Sequence, residues 1–305
     1  MVIEGILVEG LLYGIMVLGV FITFRVMDFP DLTVDGTFPF GAAVMAACLT
    51  AGVSPLIALA LAFVAGILAG SVTAAIHNYL KVPGLLAGIL TMTMLWSVNI
   101  RVMGGKANQP LIGTDNVLHE IERLLGGSLG VELSHLIMFA AIILLILVLL
   151  NVFFRTDLGI SIGAMGNNPQ MVISVGQDPR QLKFIGLGLS NGLVALSGAF
   201  SAQYQGFADV NLGQGIIIAG LASVMLGEFV LRSNKISILT LRVVLGSILY
   251  RAIMYLGRYY GYYIGLTPSD LKLLTGILIV VAIIVSKLKN EKTRKPVGQK
   301  GRNHA

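Results

Sequence analysis

Long apolar runs are the feature that most restricts how this chain can fold. One run, LIMFAAIILLILVLLNVFF, covers residues 136–154, and another, FIGLGLSNGLVALSGAFSAQY, covers residues 184–204. Each is long enough to cross a bilayer as a helix, which takes roughly 20 residues at about 1.5 Å per residue. Such runs recur along the chain, which is 56% hydrophobic and only 12% charged. We therefore predict an all-α, polytopic membrane protein, with a transmembrane domain over residues 1–287 and a basic cytoplasmic tail over 288–305.

Hydropathy predicts about nine transmembrane helices. The predicted spans lie near residues 6–24, 36–52, 54–76, 84–103, 134–154, 184–205, 215–231, 236–256 and 269–287. The first carries Glu4 and Glu9 where a secretory signal has lysine or arginine, so we interpret it as a retained span.

Basic residues in short loops mark the cytoplasmic side of such a protein. One orientation collects on that side the basic tail and Arg25, Lys81, Arg155, Arg180, Lys183, Arg232 and Lys235. It predicts an N-terminus outside and a C-terminus in the cytoplasm.

The second segment is predicted to be broken or re-entrant. It reads DFPDLTVDGTFPFGAAVMAA and places Asp28, Asp31 and Asp35 close to Pro30 and Pro39. Because proline removes a backbone donor and disrupts the preceding turn, we expect no regular helix before about Pro39. Irregular backbone at membrane depth persists only where protein buries it or where it lines a wet cavity. The segment therefore borders a solute pathway, or it is an interfacial loop whose aspartates lie in water.

Polar residues in or beside the apolar runs are candidates for lining a pathway, because a polar side chain is costly in lipid. The candidates are Asp31, Asp35, Asn99, Asn191 and Gln203. Hydrogen bonding between helices is the competing interpretation for Asn191 and Gln203. Of the charged residues, Glu228 is explained by a helix-end pair with Arg232, and Arg251 must snorkel, pair or face water.

Two further patterns concern packing. Within residues 104–133, the stretch NVLHEIERLL predicts a short amphipathic helix, with Thr114 or Asp115 placed to cap it. Such a helix meets a partner or covers the ends of its own spans. Small residues at helix-packing spacing predict close helix contacts at Gly10 and Gly14, Gly66 and Gly70, and Gly188 and Gly192.

Motifs for covalent chemistry and nucleotide hydrolysis are missing from the sequence. It has no phosphate-binding G-x-x-x-x-G-K-[ST] loop, no zinc protease H-E-x-x-H motif and no G-x-S-x-G elbow. Its four histidines are scattered without metal-ligand spacing, and its single cysteine is Cys48. We therefore expect no catalytic residue, no metal site and no bound cofactor. If the chain moves a solute uphill, the energy must come from a partner or from an ion gradient.

The polar stretch between two apolar runs, residues 155–183, is too long for a simple connection and carries apolar positions of its own. Asn168 can cap a helix, Pro169 suits its first position, and Gly176 can take the positive φ of its end. The stretch therefore predicts a short cytoplasmic helix that presents Met171, Val172 and Val175 to another protein.

Three parts of the chain resemble the permease subunits of bacterial ATP-binding cassette importers in the branched-chain amino acid and ribose superfamily. They are DLTVDGTFPFGAAV, FRTDLGISIGAMGNNPQMVISVGQDPRQLK and LSNGLVALSGAFSAQYQGFADVNLGQGIIIAGLASVMLGE. The sequence of the first part is most similar to a bacterial branch described as amino acid importers, for some of which tryptophan or tyrosine is the suggested solute.

The resemblance implies a permease in the bacterial plasma membrane that works with a separate ATPase, a substrate-binding lipoprotein or periplasmic protein, and a second permease copy. ATP and magnesium would be bound by the ATPase. The loop would supply a coupling helix, with docking residues Gly166, Asn167, Asn168, Pro169, Met171, Val172, Val175 and Gly176. The expected solute is a small polar molecule, an amino acid and more specifically an aromatic one. The alternatives are an ion-coupled carrier without an ATPase, and an importer of this type for a sugar or nucleoside.

Overall fold

The structure, a computed structural model, describes residues 2–114, 116–231 and 236–263, together with Leu273, residues 275–277 and Val280. Its helices are α1 (Val2–Phe21), α2 (Val34–Thr50), α3 (Pro55–Leu80), α4 (Gly84–Val102), α5 (Val117–Leu129), α6 (Val131–Phe153), α7 (Asp157–Asn167), α8 (Pro169–Ser174), α9 (Pro179–Gln205), α10 (Ile216–Val230) and α11 (Ile236–Tyr263). The chain divides into two compact units, residues 1–253 and 254–305. In the second, the Thr275 hydroxyl donates to the Met254 sulfur at 3.6 Å.

Among the described residues, seven helical segments are long and apolar enough to cross a membrane, and they match seven of the predicted spans within a few residues. The predicted second span is the shorter helix α2, of 17 residues. The predicted ninth, 269–287, lies almost entirely outside the described residues. The polytopic helical class is thus confirmed, and the count of nine is not.

The break in the second segment is confirmed, but the prediction of where its helix begins was wrong. A π-helical turn, Ile22–Val26, ends the first span, and an irregular stretch follows until α2 begins at Val34. Pro39 therefore lies inside α2, near its start. Its missing N–H leaves only the Asp35 carbonyl without a helical donor, which a helix tolerates so close to its N-terminus. Gly213 packs against that carbonyl, and a Cβ there would clash with it.

Helix α9 is the centre of the bundle and packs against α1, α2 and α3. The predicted close contacts at Gly66 and Gly70 are confirmed, because a Cβ on either glycine would overlap the backbone of α9 at Asn191 or Leu187. Gly41 of α2 approaches the Ala195 carbonyl in the same way. Small residues let these backbones touch where lipid supplies no hydrophobic driving force.

Among the described residues outside the spanning helices, two short strands form a small sheet that was not predicted from the sequence. Strands β1 (Asn108–Pro110) and β2 (Phe207–Asp209) pair antiparallel, with Gln109 opposite Ala208. The sheet fastens the connection after α4 to the end of α9.

The predicted amphipathic helix is present as α5, and of its two predicted caps Thr114 was wrong. Asn116 Oδ1 accepts the His119 N–H at 2.8 Å, whereas the Thr114 hydroxyl donates to the Leu111 carbonyl at 2.9 Å. The other predicted cap, Asp115, lies outside the described residues. Helix α5 packs on α6 and α9, which agrees with a helix that covers the ends of its own spans.

Candidate functional site

A buried polar network joins the broken second segment to α9. Asn191 Nδ2 donates to Asp31 Oδ2 at 2.8 Å, and the Thr37 hydroxyl donates to Asn191 Oδ1, also at 2.8 Å. The other carboxylate oxygen, Asp31 Oδ1, accepts the Thr33 N–H at 2.9 Å. All four residues are buried. The network holds the irregular stretch before α2 against the middle of the bundle.

Threonine hydroxyls extend this network to two more helices. Thr33 Oγ1 lies 2.7 Å from Thr73 Oγ1 of α3, which donates to Thr91 Oγ1 of α4 at 2.9 Å. The sequence analysis brought out Asp31 and Asn191 but missed these threonines. Their signal was present, since a threonine on an apolar helix needs a partner for its hydroxyl.

Two of the pathway candidates, Asp31 and Asn191, are therefore bonded to each other and to the helices around them. A buried and satisfied amide fixes helix positions, so the interpretation of Asn191 as a helix-to-helix hydrogen bond is confirmed. The geometry supports a structural role for this pair.

Replacing Asn191 with leucine is expected to lower the free energy of unfolding, because Asp31 and Thr37 would each lose a buried partner. A buried polar group left without a partner costs roughly 1–3 kcal/mol. Thermal unfolding in detergent should show a clear fall in Tm. The matched control is Asn151→Leu, since Asn151 is only half-buried and accepts a longer, 3.2 Å bond from Thr240 in α11. Equal loss of stability in both variants would contradict the role of the network.

The other part of the candidate site is a cavity of about 420 Å³ between α2, α4 and the start of α10. It brings together two pathway candidates, Asp35 and Asn99, which lie 64 positions apart in the chain. The remaining lining residues are Gly36, Pro39, Met92, Thr93, Trp96, Ser97, Val210, Gln214 and Gly215. Trp96, the only tryptophan of the chain, and Gln214 were missed by the sequence analysis.

Asp35 shapes this cavity by holding the start of α10. Its Oδ2 accepts the Gly215 N–H at 3.0 Å, and its Oδ1 accepts the Ile217 N–H at 2.9 Å. A carboxylate at a helix N-terminus satisfies donors that have no partner inside the helix. Gly215 supplies the left-handed turn, φ 79°, that lets the chain enter α10. Asp35 thus fixes the wall of the cavity.

Asn99 crosses from α4 to the start of α2. Its Nδ2 donates to the Gly36 carbonyl at 3.2 Å, and the residue is fully buried. Its Oδ1 has no protein hydrogen-bond partner among the described residues. The Asn99 amide nitrogen therefore has a hydrogen-bond partner in the fold, whereas the amide oxygen has none among the described residues.

Gln203, the last pathway candidate, lies away from both groups. Its Oε1 accepts the Val117 N–H at 2.9 Å and so fastens α5 to α9. The structure gives it a place in packing and does not bring it to the cavity.

Two sets of charged residues in the spans form ion pairs. Glu228 Oε1 lies 2.8 Å from Arg25 Nε and 3.0 Å from Arg242 Nη2. Its predicted partner, Arg232, falls outside the described residues, so the described pairs link α10 to the end of the first span and to α11. Arg251 Nη1 lies 3.6 Å from Glu9 Oε2, and its guanidinium stacks 3.4 Å from the Tyr13 ring centroid. Pairing, one of the outcomes predicted for Arg251, is confirmed.

The loop over residues 155–183 folds into α7 and α8, and α9 begins at Pro179, five residues before the predicted span. The predicted start of the short helix is confirmed, because Asn168 Oδ1 accepts the Gln170 N–H at 3.0 Å and Pro169 is the first residue of α8. Gly176 follows with φ 80°. Thr156 caps the start of α7, because its hydroxyl accepts the Gly159 N–H at 3.3 Å.

The outward face of α8 differs from the prediction at one position. Met171 and Val175 are 59% and 68% exposed, as expected, whereas Val172 is 1% exposed and packs inward. Ile173, which the sequence analysis did not select, is exposed instead. Val172 therefore packs against the rest of this chain and holds α8 in place, and it does not lie on the exposed surface.

Gly166 was also predicted to dock, and the structure gives it an internal role. A Cβ at Gly166 would clash with the Val26 carbonyl and with Met27. This close approach packs the end of α7 against the end of the π-helical turn. That turn directly precedes the broken second segment. Any larger residue there would push the two apart.

Metal binding is not indicated. No group of three histidine, cysteine, aspartate or glutamate side chains among the described residues is arranged to hold an ion.

Comparison with known proteins gives one family and several relatives. Residues 2–283 match the family model of the branched-chain amino acid transport system permease component. The chain is 36% identical over 286 residues to the tyrosine transport system permease protein of Clostridioides difficile, covering 94% of this chain and 92% of that one. It is 32% identical over 276 residues to the uncharacterized protein RP368 of Rickettsia prowazekii, covering 90% and 94%. It is 24% identical over 197 residues to the autoinducer 2 import system permease protein LsrC of Salmonella typhimurium, covering 65% and 54%. No solved structure matches the chain significantly.

Proposed function

Because this chain belongs to the family of branched-chain amino acid transport permease components, we propose that it forms the membrane pathway for import of an aromatic amino acid. Membership makes it a multi-pass inner-membrane subunit of an ATP-binding cassette importer, and a transport subunit that is not an enzyme. The family implies an ATPase and a substrate-binding protein as partners.

One observation carries the choice of solute. The alignment with the tyrosine transport permease covers more than nine-tenths of both chains, so most of the membrane domain has a counterpart there. Tyrosine is therefore the first solute to test. A sugar or a nucleoside is the alternative within the same superfamily.

We propose α8 as the coupling helix that docks into the ATPase. Its support is an exposed apolar surface, formed by Met171, Ile173 and Val175, on a segment outside the spanning helices. The residues that flank this surface in the chain are Asn167, Asn168, Pro169 and Gly176. Val172 and Gly166 pack against the rest of the chain. Gly166 seats α7 on the turn before the second segment. A movement of α8 would therefore be transmitted through α7 to the irregular stretch before α2, which carries Asp31.

The proposed assembly contains two copies of this chain, with the N-terminus outside and the C-terminus in the cytoplasm. The positions of basic residues in short loops support this orientation. It places α8 on the cytoplasmic side and the β1–β2 sheet outside. ATP and magnesium would be bound only by the ATPase, whose cycle would switch the permease between outward and inward states.

Reconstitution tests this function. Proteoliposomes that contain the chain and its ATPase, with the binding protein outside, should accumulate labelled L-tyrosine only when ATP is enclosed inside. Replacing ATP with ADP is the control, and unlabelled ribose or adenosine should not compete. Uptake by the chain alone, driven by a proton or sodium gradient, would identify an ion-coupled carrier and overturn the proposal.

A further inference from the structure

We propose that the cavity between α2, α4 and the start of α10 binds the transported amino acid through its ammonium group, with Asn99 Oδ1 as acceptor and Trp96 beside the amino acid side chain. This inference rests on the proposed transport function. It adds the place of binding and the chemical group that is recognised.

The acceptor is the oxygen that the fold leaves without a donor. Asn99 is fully buried, and its Nδ2 is held by the Gly36 carbonyl at 3.2 Å, which fixes the plane of the amide. Its Oδ1 belongs to a residue that lines the cavity and has no protein partner among the described residues. A buried amide oxygen without a donor destabilises a protein, so a ligand N–H in the cavity would satisfy it.

The charge of the lining favours a positive group. Asp35 is the one ionisable side chain among the lining residues, which include no lysine, arginine or histidine. Both of its oxygens act as acceptors for the start of α10. A carboxylate or phosphate would find no cation here, whereas an ammonium group finds acceptors. The carboxylate of an amino acid would point toward the opening of the cavity.

The shape of the wall explains how an apolar side chain is accommodated. On α4, the cavity side carries Met92, Thr93, Trp96 and Ser97, spaced as one face of a helix. The Thr93 hydroxyl donates to the Ile89 carbonyl of its own helix at 2.8 Å, while Met92, Trp96 and Pro39 of α2 supply apolar surface. A volume of about 420 Å³ lies in the range of small-molecule pockets.

Trp96 allows a direct test, because it is the only tryptophan of the chain. The full-length protein in lipid nanodiscs is titrated with L-tyrosine, with tyramine, which lacks the carboxylate, and with the desamino analogue of tyrosine, which lacks the ammonium. Excitation at the red edge of indole absorption avoids the signal of tyrosine. We expect saturable changes in Trp96 emission with tyrosine and tyramine, and none with the desamino analogue.

Variants assign the acceptor. Asn99→Leu should weaken the tyrosine response at least about tenfold, the loss expected when a hydrogen bond to a charged group is removed. The control Asn78→Leu removes another buried amide that donates to a backbone carbonyl, Arg180 O at 3.1 Å, and it should leave the response unchanged. If Asn99→Leu fails to fold, the comparison of tyramine with the desamino analogue still decides.

An emission that no probe changes, or an equal response to the desamino analogue, would overturn the inference. If the reconstituted importer still accumulates tyrosine in that case, the proposed function stands without this site. Conversely, uptake that does not need ATP would overturn the proposed function. If Trp96 emission still responded to tyrosine and tyramine but not to the desamino analogue, the proposed binding site would stand.

Discussion

Gly66→Leu is expected to prevent stable assembly of the helical bundle. A Cβ at Gly66 would lie 2.6 Å from the Ala195 Cβ and would overlap the Asn191 carbonyl. Neither obstacle is the flexible end of a side chain, so α3 and α9 would have to separate along their extensive interface. Overpacking of this kind costs typically 1–3 kcal/mol and more where the backbone cannot move, so we expect a loss of about 3 kcal/mol or greater. Size-exclusion chromatography and thermal unfolding in detergent measure it.

Gly5→Leu is the matched control for this prediction. Gly5 also lies in a helix, α1, but a Cβ there would meet nothing within 4 Å. Leucine is the better helix former by up to about 1 kcal/mol, so this variant should keep or slightly raise Tm. A Gly66→Leu protein with the Tm of wild type would show that α3 and α9 do not pack through this contact.

The double variant Met171→Glu, Val175→Glu is expected to separate the permease from its ATPase without unfolding it. Both side chains are mostly exposed in the isolated chain, so Tm should stay unchanged. In a complex they would be buried, and an unpaired carboxylate in an apolar contact is strongly unfavourable. We expect co-purification with the ATPase and ATP-driven uptake to fall at least about tenfold, which corresponds to about 1.4 kcal/mol.

Ile112→Glu provides the comparison, because Ile112 is 90% exposed and lies beside β1, at the other end of α9 from α8. It should leave the complex intact. ATPase binding that survives the double variant would exclude α8 as the docking element. Val172→Glu and substitutions of Gly166 cannot serve in this test, since both positions are packed inside the chain and their loss of function would reflect unfolding.

Local signals in the sequence were enough for several features. The Asn168, Pro169 and Gly176 pattern predicted a short helix because a cap, a first-turn proline and a positive-φ glycine act within a few residues. Apolar length predicted the spans for the same kind of reason. The start of α2 was misplaced because the rule for proline was applied without the tolerance of a first turn, and because Gly213, distant in sequence, makes room there.

Long-range contacts decided what the polar residues do. From the sequence, the five pathway candidates were polar positions in or beside the spans, each with a pathway interpretation and no identified partner. The structure binds Asp31 to Asn191, uses Gln203 to hold α5, and leaves Asp35 and Asn99 at one cavity with Trp96. No periodicity predicts such a partition, because each contact joins residues far apart in the chain.

The sequence by itself determined that this chain crosses a membrane many times as helices, since apolar length and the cost of unsatisfied backbone in lipid allow few other solutions. It also determined the short helix of the loop, whose ends are set by neighbouring residues. Only the tertiary structure decided that Val172 faces inward while Met171 and Val175 face outward, and that Asn99 Oδ1 has no protein hydrogen-bond partner among the described residues. Burial and hydrogen-bond satisfaction depend on which helices meet, and helices meet through contacts that no single stretch of sequence contains.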